Sequence, residues 1–149
     1  MRAIAIIPAR MGSSRFPGKP MHPILGTPMI GHCYYRTIMA KGLTDTYIAT
    51  CDQVIADYIR TIGGKVVMTS ITHNRATERT AEAIENIELE INLTVDVVVM
   101  VQGDEPLIPP KVIGDCLKHF DDPEVEIVNI MSRFRTREQF EDKNNVKVV

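Results

Sequence analysis

The sequence predicts an α/β fold, a three-layer, doubly wound and mostly parallel sheet, and three observations predict it. Short apolar segments alternate along the chain with segments of helical periodicity. The first, residues 3–7 (Ala-Ile-Ala-Ile-Ile), runs straight into a basic, glycine-bearing loop at residues 10–20. The most strand-like, residues 95–101, is β-branched and nearly unbroken, the composition of a central strand buried on both faces. Sheets of this kind bind ligands outside the carboxyl ends of their strands.

Each element has its own signal. After the basic loop, Thr27 caps a helix with Pro28 at its first position. Met29, Ile30, Cys33, Ile38 and Met39 then fall near helical spacing, and Gly42 stops the helix. Residues 47–50 form the second strand. Asp52 caps a helix whose inner face is Ile55, Tyr58, Ile59 and Ile62, ended by Gly63 and Gly64. Residues 65–69 form the third strand, and a polar loop through Arg75 leads into a helix over about 77–90. The strand at 95–101 is followed by a proline-rich loop and a helix over about 111–120. Residues 125–131 are a further strand, and Thr136 to Gln139 form a capping box for a short helix. Residues 146–149 begin to read as a strand where the chain stops.

Composition narrows the function classes. A length of 149 residues suits one domain with a proper core, covering 1–149. The 17 basic and 19 acidic side chains leave a net charge of −2, which argues against bulk electrostatic binding to nucleic acid or an anionic membrane. No apolar run reaches transmembrane length, and residues 3–7 are too short for a signal-peptide core. Cys33, Cys51 and Cys116 are odd in number and lack metal-like pairing, so buried thiols in a reducing cytoplasm are expected.

The loop at 10–20 carries the first chemistry. Arg10, Arg15 and Lys19 supply cations, Ser13 and Ser14 hydroxyls, and Gly12 and Gly18 close backbone approach. A strand emptying into such a loop meets the needs of a polyanion such as a nucleoside triphosphate; a solvated basic loop is the alternative. Gly12 and Gly18 are too far apart for a P-loop, Pro20 stands where its hydroxyl belongs, and no Gly-x-Gly-x-x-Gly is present.

A second signal is Gln102-Gly103-Asp104-Glu105-Pro106, directly after the strand at 95–101. Asp104 at a strand's carboxyl end can present a carboxylate to Mg²⁺; it can equally be a turn former or helix cap. A third is the run from His73 to Arg79, where a helix start can attract an anion or read a base edge. Glu78 and Arg79 also have purely structural readings there, as a partner for the helix dipole and an ion-pair member.

These stretches occur in an order and spacing that resemble the cytidylyltransferases activating 3-deoxy-manno-octulosonate (KDO), the CMP-KDO synthetases. The matching segments are Pro8-Ala9-Arg10 through Gly18-Lys19-Pro20, Thr77-Glu78-Arg79 and Val101-Gln102-Gly103-Asp104-Glu105-Pro106. Gly26-x-Pro28-Met29-Ile30, Ala49-Thr50-x-Asp52 and the closing Asn145-Val146-Lys147-Val148-Val149 agree as well. The resemblance implies a fold like the nucleotide-diphospho-sugar transferases. It implies that Arg10, Ser13 and Lys19 hold the phosphates of CTP, with Arg15 as a further cation, and that Asp104 ligates Mg²⁺. Gln102 would lie near sugar acid or base, and His73, Thr77 and Arg79 would shape the cytosine side. Arg10, Lys19 and Asp104 would carry the catalysis.

The implied reaction joins CMP from CTP to the sugar acid and releases pyrophosphate, for lipopolysaccharide precursor synthesis in the cytoplasm. The alternatives are another sugar acid, either sialic-type or another 2-keto-3-deoxy acid, and a non-catalytic nucleotide-binding unit. Family members are longer, and the resemblance puts their sugar-binding and homodimer-forming part outside these 149 residues.

Overall fold

The structure is a computed structural model that describes residues 1–12 and 16–147. In chain order its strands are β1 (Ala3–Ala9), β2 (Pro23–Ile24), β3 (Thr27–Pro28), β4 (Asp45–Thr50), β5 (Lys65–Met68) and β6 (Val97–Met100). Its helices are α1 (Met29–Ile38), α2 (Gln53–Thr61), α3 (Ala76–Ile91), α4 (Pro110–Lys118) and α5 (Arg137–Glu141).

β1 is buried at every position, because apolar residues on both of its faces need cover on both. It pairs in parallel with β4 on one side and β6 on the other, and β5 adds outside β4, in the order β5-β4-β1-β6. Ile7 and Ile48 face α1, α2 and α4 through Ile30, Cys33, Ile55, Ile59 and Ile113. Ile4, Ile6 and Ala49 face the other way, onto Ala83 and Ile87 of α3. Helices therefore cover both sides of a parallel sheet, the three-layer arrangement the alternation predicts. Ile48, fully buried in the larger of these clusters, tests its packing. Ile48→Ala should cost about 2–5 kcal/mol in urea denaturation, the range for a large-to-small change in a close-packed core.

Several expectations are corrected. The strand at 95–101 is expected at the centre of the sheet; the described sheet has β1 there and β6 at an edge. Val98 and Met100 remain 40% and 36% exposed on the face that α3 covers further along. An unbroken apolar run shows that both faces of a strand are apolar, but not which neighbours flank it. Residues 125–131 form no strand among the described residues, and Ile127, Ile130 and Met131 are exposed. Strand propensity cannot express itself without a partner for the backbone.

Thr27 is not a helix cap. It pairs within the β2–β3 ribbon, and Pro28 stands at the cap position of α1. At α5, Thr136 Oγ1 accepts from the Gln139 amide at 3.2 Å as a cap should. The Gln139 side chain, however, accepts from the Arg135 amide rather than that of Thr136, so the box is shifted by one residue. Residues 146 and 147 are not in a strand, and 148–149 lie outside the described residues. Among the described residues no helix is long and apolar enough to cross a membrane.

Candidate functional site

The strand order reverses between β1 and β6, since the chain builds outward from β1 first to one side and then to the other. A crevice opens at such a switch point. Here it is a cavity of about 670 Å³ lined by Ala9, Arg10, Gly12, Lys19, Gln102 and Asp104, among others. Pro8 explains where it opens. The Val101 amide donates to the Ile6 carbonyl at 2.9 Å, so two residues on, Pro8 presents the same edge to the departing chain. A proline has no N–H to offer there, and the ladder ends. Gly103 fills the gap closely: a Cβ on it would lie 2.6 Å from the Pro8 carbonyl oxygen.

The basic loop is pinned at both ends. The Met11 amide donates to Asp52 Oδ2 at 2.7 Å, and the Gly18 amide donates to the Met11 carbonyl at 3.0 Å. Gly18 has φ +75°, a left-handed conformation that a glycine adopts without strain. It delivers the chain into a 3-10 turn, Lys19–Met21, whose first side chain points back into the crevice. There Lys19 Nζ donates to Asp104 Oδ2 at 2.7 Å, joining residues from opposite walls.

A smaller cavity of about 90 Å³ lies on the other side of Arg10, between the end of β1 and the start of α3. Arg10, Arg75 and Arg79 all line it, with His73, Asn74 and Ala76. The α3 start is held by Glu78, whose Oε2 accepts from the Asn74 and Arg75 amides, both at 3.2 Å. Arg75 occupies the cap position, but a guanidinium has no acceptor, so Glu78 alone satisfies these donors. Arg10 Nη1 donates to the His73 carbonyl at 3.2 Å, and the His73 ring hydrogen-bonds Glu82. Arg79 is 3% exposed. Its Nη1 donates to Thr69 Oγ1 and to the Ser70 carbonyl, while Nη2 is buried with no partner among the described residues. A buried unpaired donor is costly, and here it belongs to a side chain lining a cavity.

Glu82 ties this wall together, since both its oxygens accept from the Ser70 amide at 2.9 and 3.1 Å. That amide, with His73 beside it, holds the Glu82 carboxyl below its ordinary range. A depressed carboxylate contributes stability that is present above the unfolded value and lost as pH falls through the folded one. Glu82→Gln should therefore lower the urea midpoint at neutral pH and flatten its decline into acid. Parallel curves for the two proteins would remove Glu82 from this role.

The residues singled out in the sequence fall into four groups. Arg10, Lys19, Gln102 and Asp104 meet around the larger cavity. His73 and Arg79 line the smaller one, and Arg10 lines both. Thr77 lies exposed on the first turn of α3 and lines neither. Ser13 and Arg15 lie outside the described residues.

Asp104 suits a magnesium ion of one kind. No group of three or more His, Cys, Asp or Glu side chains is assembled among the described residues. A single accessible carboxylate fits the mode in which Mg²⁺ takes one or two carboxylates, waters and substrate phosphates.

Two residues escaped the sequence reading. Asp52 reads as a helix cap, yet its side chain makes no capping bond and instead holds the loop at Met11. Glu82 sits in no motif; only the folded chain brings it to Ser70 and His73. All three cysteines are free, but only Cys33 is fully buried, and burial pushes its thiol up to about 11.

A family model described as Cytidylyltransferase matches residues 4–149. The whole chain is 42% identical to a Trichlorobacter lovleyi protein named 3-deoxy-manno-octulosonate cytidylyltransferase, of which it covers 57%. It is 44% identical to a Shewanella piezotolerans protein named 8-amino-3,8-dideoxy-manno-octulosonate cytidylyltransferase, of which it covers 60%. The chain thus spans somewhat over half the length of these curated relatives. Among solved structures, a CMP:2-keto-3-deoxy-manno-octonic acid synthetase complexed with CTP is similar, with a TM-score of 0.73 and 36% identity. That likeness covers 84% of this chain and 50% of the other.

Proposed function

Because the chain belongs to the cytidylyltransferase family, we propose that its crevice binds CTP and that the protein joins CMP to 3-deoxy-D-manno-octulosonate, releasing pyrophosphate. The observation that carries this reading is the meeting of Arg10, Lys19 and Asp104 at the sheet's switch point, beside a smaller cavity with an unpaired buried donor.

In this reading the triphosphate lies in the larger cavity. Lys19 and Arg10 orient it and neutralise its charge, with Ser13 and Arg15 of the same loop in the same role. Mg²⁺ held by Asp104 would supply positive charge against the negative charge that grows on the departing pyrophosphate. The anomeric hydroxyl of the sugar acid attacks the α-phosphorus in line, and Gln102 lies where it can contact the acid or the nucleotide. Positioning and charge neutralisation, rather than covalent chemistry, carry the rate. The cytosine takes the smaller cavity beside His73 and Arg79. The Nη2 of Arg79, without a partner among the described residues, suits an acceptor on the ring.

A cytoplasmic homodimer serving lipopolysaccharide precursor synthesis belongs to the same proposal and rests on the sequence resemblance alone. A second reading keeps the reaction and changes the acid to the 8-amino-3,8-dideoxy sugar, favoured by the 44% identity to the Shewanella protein. Magnesium-dependent pyrophosphate release, measured with CTP and both acids, separates the two. CTP binding without turnover on either acid would leave a nucleotide-binding unit. Lys19→Ala should weaken CTP about tenfold or more while leaving free cytidine nearly unchanged, since charge-assisted phosphate contacts are the stronger ones. Equal losses for both ligands in a calorimeter would mean that the loop does not read phosphate.

A further inference from the structure

We propose that the Lys19–Asp104 ion pair couples the two ligands of the crevice: each side chain holds the position of the other's partner, so a polyphosphate and a divalent cation ease each other's entry. This rests on the nucleotide reading above and adds a linkage to it.

The geometry sets the two ligands in competition with one contact. Lys19 Nζ lies 2.7 Å from Asp104 Oδ2, and both residues line the same cavity from opposite walls. The ammonium has donors only and the carboxylate acceptors only, so the donor spent on Asp104 is withheld from a phosphate and the oxygen spent on Lys19 is withheld from a cation. If a phosphate oxygen draws Lys19 away, Asp104 is left as a bare carboxylate beside an anion. A divalent cation arriving at Asp104 cures that repulsion and releases Lys19 in the same step. The converse order gives the same coupling, as linkage requires.

Both side chains are partly exposed, at 36% and 51%, so the exchange needs no rearrangement of the core. Arg10 offers no such exchange, because the acceptor bonded to its Nη1 is the neutral His73 carbonyl.

A double-mutant cycle tests the coupling. Inorganic pyrophosphate binding is measured by calorimetry with a chelator present, for wild type, Lys19→Gln, Asp104→Asn and the double variant. Asp104→Asn should tighten pyrophosphate by about two- to fivefold more with Lys19 present than in the Lys19→Gln background, the size expected for a partly exposed pair. Mn²⁺ binding alone, followed by its paramagnetic resonance, gives the mirror cycle. There Lys19→Gln should tighten Mn²⁺ by about two- to fivefold more with Asp104 present than in the Asp104→Asn background. Equal factors in both backgrounds overturn the coupling while leaving the nucleotide reading intact. Wild type that fails to bind CTP in the presence of Mg²⁺ overturns that reading, and the coupling with it.

Discussion

Gly103→Ala should lower the rate of the proposed pyrophosphate release by about a hundredfold or more, the scale set by a misplacement of about 1 Å in an active site. The added Cβ would sit 2.6 Å from the Pro8 carbonyl oxygen. That neighbour is backbone of a fully buried strand paired at the centre of the sheet, and it cannot swing aside. The loop must therefore move, and it carries Gln102 and Asp104 with it, away from Lys19 and Arg10. The stability cost should stay within about 1–3 kcal/mol, as for other overpacked contacts, because the strand pairing ahead of the loop is untouched. Steady-state rates with urea denaturation on the same sample check both halves. A variant with wild-type rates would show that the position of the loop does not matter to the chemistry.

Asp104→Asn is the second large effect. The substitution preserves shape and removes the charge. Its only protein partner among the described residues is Lys19, at a partly exposed site, so the melting temperature should move little. With Asp104 in the proposed metal role, loss of the metal's charge stabilisation amounts to several kcal/mol, which corresponds to a rate loss of about a hundred- to a thousandfold or more. Magnesium titrations of turnover, together with Mn²⁺ binding by paramagnetic resonance, measure it. Near-normal rates at saturating Mg²⁺ would take Asp104 out of the metal role. The two variants differ in a useful way: Gly103→Ala displaces the carboxylate without discharging it, whereas Asp104→Asn discharges it in place.

Much of this arrangement was legible before folding. The short range of backbone geometry does the work in those cases. Residues 3–7 are a short apolar run that reads as a strand covered on both faces, and the structure covers them. The pattern of Ile55 and Ile59 selects one face of α2, and the glycine after it, Gly63, adopts φ +77° as a stop signal should. Arg10, Lys19 and Asp104 each follow a strand's carboxyl end or its loop, so their convergence was inferable from the parallel topology alone.

Other features depended on what lies across space. Asp52 has the residue type and position of a cap, and a carboxylate can accept from its own helix or from a neighbouring loop. The choice of the Met11 amide is made by the packing of β1 against β4. Residues 125–131 have strand composition, but a strand is a pairing and not a property of one segment. The edge position of β6 and the exposure of Val98 and Met100 are facts of the same kind.

The order of elements, their inward faces and the chemical character of both loops belong to the linear chain, because they follow from local sterics and hydrophobic period. The Lys19–Asp104 contact across 85 residues, the Glu82 brace and the Arg79 nitrogen left unpartnered among the described residues belong to the folded molecule. Each needs two segments to meet, and which acceptor a side chain finds is settled only when the competing partners have been buried or excluded.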